Sequence, residues 1–570
     1  FLFRTMGFCG CLRFTLYLAG ALGLLAGIGA SVVNSMWMNH AFDSFLDRSQ
    51  GAEAYNEKNH FLLGNFAPVG DELSGLQLAV VQGKIPEGLD GIFIRNGPNP
   101  IPEHGNKKRY HWFDGHGYLH VIKFDSKSQT ASYSSGWLQT PRYNYERALG
   151  HAYFIGVGEY IGLAGLLKAV FIAPKKMEFA GLTRITSGQA NTALVHHAKR
   201  FYALHEASLP FEIRFNMDGS FRSAGYEDFG TLNMAMSAHP KVDPATDELV
   251  FHGYGAPPLP NLKWGAIRAD GSVVNYVGVT TNDSRTPLAH DFALTRTHVV
   301  LLDTSVKFEP KRIVDGQVFF FDDAYNMRLG LAPRGTQAED DVVWYELEKP
   351  LVIMHVMNAW TTDDGKHVMM WACGSTAFDL NAIQAMNNSR FALYEFQFDL
   401  EAETVVQRRV PSPFNGLLQA EFPTIHPKYH GAYSSYGFVG ISPVSDGRFT
   451  GIAKFHMHST GGGEHVASFT FAEGVFSGEP LFVPDANREG ADHGWMVTVQ
   501  HNEKSGETFV VIYDAETMSE EPVAVLDAPR IPYGFHGAWL SEGDLQAHVE
   551  SWRERDLESL KDRRAACFVA

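Results

Sequence analysis

From about residue 60 to residue 540 the chain alternates apolar and polar residues over short runs and rarely repeats them at helical spacing. Phe391-Ala392-Leu393-Tyr394-Glu395-Phe396-Gln397-Phe398 is one such run. Val299-Val300-Leu301-Leu302 and Phe509-Val510-Val511-Ile512-Tyr513 are β-branched and aromatic, the composition of buried strands. Asp-Gly pairs begin at Asp90, Asp114, Asp218, Asp270, Asp315, Asp364 and Asp446. Asp and Gly both tolerate the positive φ of tight turns, so each pair predicts a hairpin. About 480 residues of strands without interleaved helices imply an all-β body, either a sandwich array or a propeller. No Trp-Asp signature recurs at a fixed period, so repeats do not choose between them.

Two flanking regions depart from this pattern. Phe14 to Phe42 contains no Asp, Glu, Lys or Arg, and Arg4 and Arg13 precede it. Roughly 20 apolar residues span a bilayer, and flanking arginines hold a short N-terminus on the cytoplasmic side. Residues 1–45 are therefore expected to be an N-terminal hydrophobic anchor or a targeting segment, with the anchor preferred over a cleaved signal. Membrane association follows, with a plastid or the endomembrane system as the compartments compatible with it. At the other end, residues 541–570 predict a helix or tail. Leu545, Val549, Trp552, Leu557 and Leu560 fall at near-helical spacing, behind a capping box of Ser541 and Asp544. Inside the body, Tyr160–Ile172 is apolar and followed by Lys175 and Lys176. It is too short to span a bilayer and reads as a buried helix or an interfacial one.

Charge and cysteine content narrow the function. Lys and Arg number 47 against 64 Asp and Glu, a formal charge of −17, which argues against nucleic acid as a partner. Four cysteines exclude a disulfide scaffold and a Cys-built metal cluster. Histidine is abundant at 25 and is the commonest protein metal ligand. His239, His290, His355 and His536 each lie among apolar or small residues near an expected strand end. Their wide spacing is unlike a helical zinc motif and fits ligands delivered to one axis from separate sheets.

Several segments resemble the carotenoid cleavage oxygenase family. They are Gly91-Ile92-Phe93-Ile94-Arg95-Asn96-Gly97-Pro98-Asn99-Pro100, Trp112-Phe113-Asp114-Gly115-His116-Gly117 and Ala190-Asn191-Thr192-Ala193-Leu194-Val195-His196-His197. Met236-Ser237-Ala238-His239-Pro240-Lys241, Pro287-Leu288-Ala289-His290-Asp291-Phe292-Ala293 and Asn358-Ala359-Trp360 follow. Glu421-Phe422-Pro423, Gly478-Glu479-Pro480-Leu481-Phe482-Val483-Pro484 and Ile531-Pro532-Tyr533-Gly534-Phe535-His536-Gly537 complete the set, in the family's order. The wording is closest to the branch of plant carotenoid and 9-cis-epoxycarotenoid dioxygenases.

The resemblance implies a seven-bladed β-propeller over residues 60–540, with a few helices on one face and a non-haem Fe(II) on its axis. It implies His239, His290, His355 and His536 as the iron ligands. It also implies that Glu206, Glu421 and Glu479 pair with His290, His355 and His536, leaving His239 without a carboxylate. Thr192 matches a family threonine that crowds one open iron position. Imidazole suits iron, and four neutral imidazoles leave two octahedral positions open. With no carboxylate on the metal, the glutamates behind the rings would orient them and raise their basicity. The implied reaction is cleavage of a conjugated double bond of a carotenoid or apocarotenoid, an apolar polyene, with O2 to give two carbonyl products. Stilbene-cleaving members carry Lys where His205 stands here, which disfavours that activity. A non-catalytic propeller binding protein is the other alternative, and the complete His and Glu set argues against it.

Overall fold

The computed structural model describes residues 35–49, 59–101, 110–255, 260–283, 285–379, 390–414, 418–443 and 446–569. Among them, strands form seven antiparallel sheets of four to six strands and one small sheet of three. Four sheets follow chain order strand by strand, as Val352–Thr361, His367–Ser375, Ala392–Asp399 and Thr404–Arg409 do. Short antiparallel neighbours need only tight turns, so this order follows from the turn-rich sequence. Asp218-Gly219, Asp270-Gly271 and Asp364-Gly365 lie between paired strands, and their glycines take φ of 80°, 84° and 69°. The expectation of a hairpin at every Asp-Gly does not hold. Asp315-Gly316 ends the 3-10 helix Pro310–Asp315, and Gly91 opens a strand. Both uses need a glycine but reverse no strand.

Chain start and chain end are joined twice. Gly91–Asn99 pairs with His116–Asp125 on one side and with Gly537–Ser541 on the other. Val80–Gly83 pairs with Ala524–Ala528. The apolar cores lie between sheets. Phe93 and Ile122 of the first sheet pack with Val497 and Val510 of the last, and Ile92 and Leu119 with Phe201 and Ile213 of the next. Inner strands are buried on both faces and outer ones are wet: Gly91–Asn99 is buried throughout, whereas Thr404–Arg409 is mostly exposed. Each fully buried large apolar side chain contributes about 1.5–3 kcal/mol relative to exposure, so these seams hold the sheets together.

Helices are few. Pro141–Leu149, Gly162–Leu167 and Ala173–Phe179 all fall in the single connection between Trp137 and Ala193. The apolar stretch Tyr160–Ile172 is neither wholly buried nor wholly free. Ile172 is buried, whereas Leu163 and Val170 are 64% and 54% exposed. The C-terminal helix Glu542–Val569 begins where expected, with the Asp544 N–H donating to Ser541 Oγ. Its apolar packing fades along its length: Leu545 and Val549 are buried, but Leu557 and Leu560 are exposed. The helical spacing of all five apolar residues therefore overstated the docked length. No helix among the described residues is long and apolar enough to cross a membrane. Most of the Phe14–Phe42 segment lies outside the described residues. Its last residues enter the helix Met36–Ser49, which packs against the body through Phe42 and Leu46.

Candidate metal centre

Two glycines let two backbones meet beside His536. A Cβ on Gly97 would stand 2.8 Å from Gly534 Cα. That contact aligns Asn96 with the Phe535–His536 segment, where the Phe535 N–H donates to the Asn96 carbonyl and the Asn96 N–H to the His536 carbonyl, both at 3.0 Å. His536 thus sits at the entry to Gly537–Ser541. His239 precedes Lys241–Asp243, and His290 lies between Thr286–Pro287 and Ala293–Leu294. His355 is different, being inside Val352–Thr361. The pairing register shifts between Ile353 and His355, a bulge that re-aims the side chain. Glu421 stands at a similar irregularity, followed by Phe422 at φ 51°, a strained left-handed position for an aromatic residue.

Ring nitrogens of His239, His290, His355 and His536 all lie within 4.8 Å of one another. His239 Nε2 is 2.9 Å from His290 Nε2, which is 3.3 Å from His355 Nε2. The opposite nitrogens point outward to carboxylates. His290 Nδ1 meets Glu206 Oε1 at 3.0 Å, His355 Nδ1 meets Glu421 Oε2 at 2.5 Å, and His536 Nδ1 meets Glu479 Oε1 at 2.9 Å. His239 has no carboxylate partner among the described residues. Each carboxylate is fixed in turn. Glu206 accepts from Tyr254 Oη at 2.7 Å, Glu421 from the Phe422 N–H at 2.7 Å and Glu479 from the Gly537 N–H at 2.6 Å. Buried Arg95 lies against Gly478, where a Cβ would fall 2.1 Å from Nη2, so a side chain there would push the guanidinium from its place.

Electrostatics treat the rings unequally. Burial, helped by the adjoining imidazoles, pushes His239 and His355 well below the usual histidine range. Burial also works against a charged His290, but Glu206, Asp291 and Glu421 outweigh it and raise that ring. Burial pushes Glu421 up to about 8, whereas Glu206 resists burial through His290 and Tyr254 and is held at about 2. With the Nδ1 atoms of His290, His355 and His536 directed at glutamates, the remaining ring nitrogens of these three and of His239 face one another at close range. Such a donor set repels itself unless a cation lies between its members, so the residues fit a nitrogen-liganded transition metal.

Three of the four rings, His239, His355 and His536, border a cavity of about 310 Å³ with Lys241, Asn358 and His430. An aromatic cluster including Phe61, Phe66, Trp112, Phe378 and Phe535 adjoins the centre, since Phe535 and Met354 are chain neighbours of His536 and His355. Thr192 comes to the centre by its backbone. Its carbonyl accepts from the His536 N–H at 3.1 Å, and its hydroxyl donates to Asn191 Oδ1 at 3.0 Å.

The family profile described as retinal pigment epithelial membrane protein matches residues 66–541. The chain belongs to this carotenoid oxygenase family. The carotenoid oxygenase relatives include carotenoid 9,10(9',10')-cleavage dioxygenase 1 of Arabidopsis thaliana, 34% identical over 85% of this chain and 91% of that one. The Crocus sativus carotenoid 9,10(9',10')-cleavage dioxygenase is 32% identical over 87% and 91%. The chloroplastic 9-cis-epoxycarotenoid dioxygenase NCED1 of Oryza sativa subsp. japonica is 31% identical over 90% and 80%. Among solved structures, Pseudomonas brassicacearum lignostilbene dioxygenase superposes with a TM-score of 0.71 at 20% identity, over 85% of this chain and 99% of that one. A variant of Synechocystis apocarotenoid oxygenase superposes at 0.69 and 22%, over 83% and 97%. At these identities the two structures speak for the fold alone.

Two residues of the centre went unassigned in the sequence. Asp291 carried a signal, being a charge beside a histidine in an apolar segment. Tyr254 carried none, since an aromatic residue ending a strand is ordinary.

Proposed function

We propose that the protein is a non-haem Fe(II) dioxygenase that cleaves a conjugated double bond of a carotenoid or apocarotenoid with O2, releasing two carbonyl products. The observation that carries this reading is the convergence of four largely buried imidazoles, three of them backed by carboxylates. His239, His290, His355 and His536 would hold the iron, which would supply the activation of O2. Around these ligands we read the seven larger sheets as blades of a seven-bladed propeller. The pairing of Gly91–Asn99 with Gly537–Ser541 supports that reading, because it closes the ring.

The chain's own residues do the rest. Glu206, Glu421 and Glu479 hold the Nδ1 protons of three rings, which fixes their tautomer and leaves Nε2 as the donor. Tyr254, Phe422 N–H and Gly537 N–H keep those carboxylates in place. The aromatic cluster beside Phe535 offers a dry wall for an apolar polyene and excludes water from the reacting bond. The cleavage moves no proton on or off substrate, which agrees with an interior where no nucleophile is called upon. Expression in bacteria that accumulate different carotenoids tests the reading. Colour should fade, and the product masses should report the substrate and the bond. A protein that takes up no O2 with any polyene but cleaves a hydroxystilbene would transfer the assignment to stilbenes.

We also propose that the protein attaches to a membrane. The helix Met36–Ser49 packs on the 162–179 helical segment, and their apolar residues Trp37, Phe45, Leu163 and Val170 are 77%, 59%, 64% and 54% exposed. A substrate dissolved in lipid would be reached from such a surface. A chain lacking residues 1–34 should float with liposomes and lose flotation on Leu163→Glu with Val170→Glu. Equal flotation of both would refute the patch.

A further inference from the structure

A second group of metal-ligating side chains stands apart from the four axial histidines. His456 and His458 are two residues apart along the strand Gly451–Met457 and its exit, so both side chains leave the same face. Glu464, on Gly463–Thr470, is the cross-strand partner of His456. One ligand atom from each of the three lies within 4.8 Å of the others. The two imidazole centroids are 4.8 Å apart at 70°. None of the three side chains makes a hydrogen bond or ion pair among the described residues. His456 rests against the Tyr436 ring, while His458 and Glu464 are exposed.

The hairpin that carries them is held stiffly. Trp360 Nε1–H donates to the Ser459 carbonyl at 2.8 Å, and the Gly462 N–H donates to Glu395 Oε2 at 2.6 Å. Gly463 packs so closely on Trp371 that a Cβ there would fall 2.3 Å from the indole. The Met457 N–H donates to the Ser435 carbonyl at 2.8 Å. Three donors already gathered on a fixed hairpin have little ordering left to do when an ion arrives.

We propose that His456, His458 and Glu464 form a surface site for a borderline divalent transition ion, with Zn2+ as its representative. Two imidazoles and one carboxylate suit zinc or copper rather than the hard cations calcium and magnesium, which prefer all-oxygen sites. Three protein ligands leave at least one coordination position to water. The ion would clip the turn between the two strands and would leave the axial histidines untouched.

The test uses the full-length protein carrying its axial iron. It is dialysed against Zn2+, and zinc and iron are measured in the same samples. Wild type should hold about one zinc per chain above its iron, following the three-ligand count. His458→Ala and Glu464→Gln should each lose that zinc while keeping their iron and their circular dichroism. Both positions are exposed, so neither change endangers the fold. Zinc should also raise the thermal midpoint of wild type and not of the variants. The proposal is overturned if wild type holds no zinc above its iron, if the variants hold as much as wild type, or if zinc appears only as iron leaves.

Discussion

Asp291 Oδ1 lies 2.7 Å from Lys241 Nζ, in an ion pair whose carboxylate is almost fully buried. The same oxygen accepts from the Phe292 N–H at 2.7 Å, and Oδ2 accepts from the Val356 N–H at 2.7 Å. Lys241 is two residues beyond His239, Phe292 two beyond His290, and Val356 one beyond His355. One carboxylate therefore ties together three of the four histidine-bearing segments. Ser237 Oγ adds a fourth tie by donating to the His290 carbonyl at 2.7 Å.

Asp291→Asn should be worse than Lys241→Met. The amide turns an NH2 toward backbone donors and leaves the ammonium unpaired, and breaking a buried pair in this way costs about 3–5 kcal/mol. Lys241→Met leaves a carboxylate that still accepts two backbone N–H bonds, so the loss is nearer about 1.5–3 kcal/mol. Denaturant midpoints give the stabilities, and iron retention against a chelator should follow the same order. The reverse order would show that Asp291 serves Lys241 rather than the histidine segments.

Tyr254→Phe removes one hydroxyl from behind Glu206. A hydrogen bond to a charged group is worth about 1.5–3 kcal/mol, and its loss frees the carboxylate to swing away from His290. Iron should be held about tenfold less well, at the lower edge of the usual effect of such outer partners. Because Tyr254 helps to hold Glu206 at about 2, its removal should also move that carboxyl upward. Unchanged iron retention would mean that His290 and the Ala238 N–H suffice to fix Glu206.

How much of this was legible beforehand depended on whether the information was local. Strand runs such as Phe509–Tyr513 show in their β-branched and aromatic composition, which suits a pleated, buried surface. The four histidines could be named but not gathered by spacing, since 181 residues separate His355 from His536 by subtraction. Gathering them took the ordered motifs of a resembling family. The bulge at His355 and the left-handed Phe422 were invisible, because neither position carries the Gly or Asn that usually announces such a conformation. The wet end of the C-terminal helix was also invisible, because helical spacing says which face is apolar and not how far a partner surface extends.

That docked first half carries a pH dependence. The Phe215 N–H donates to His548 Nε2 at 3.1 Å, and His548 Nδ1 donates to the Lys199 carbonyl at 3.0 Å, so the neutral ring is the bound form. Burial holds His548 down at about 4, against the usual 6.5 of histidine. Below pH 6.5 the unfolded chain takes up a proton that the folded one refuses, so stability falls as pH drops from 6.5 toward 4. The full difference corresponds to about 3 kcal/mol at 1.36 kcal/mol per unit. Trp552, whose indole N–H donates to the Phe215 carbonyl at 2.9 Å, reports undocking by fluorescence. His548→Gln should flatten this part of the acid profile. A variant profile parallel to wild type between pH 6.5 and 4 would rule out His548 as the titrating group.

Glu421 and Glu479 supply the sharpest check on the metal assignment, because neither ring nitrogen they hold faces the centre. Glu→Gln keeps size and one acceptor oxygen, and it denies a metal-bearing site the carboxylate charge that would strengthen the imidazole hydrogen bond. Loss of such a partner typically costs about 10–100-fold in metal affinity or activity, or roughly 1.4–2.8 kcal/mol. The two substitutions should differ in their effect on the metal-free fold. Burial already favours the protonated, uncharged form of Glu421, and its Oε1 is buried without a hydrogen-bond partner among the described residues, so Gln is close to the form that the interior prefers. Glu479 faces Arg95, a buried guanidinium whose own proton affinity burial lowers to about 10 while Glu479 works to raise it. Glu479→Gln removes that counter-charge and leaves a cation buried, so it should destabilise the fold where Glu421→Gln does not. Iron retention against a graded chelator and thermal unfolding of the metal-free proteins separate the two effects. If both variants hold iron and turn over as wild type does, these carboxylates do not support the ligands, and the placement of the metal at the four histidines fails with them.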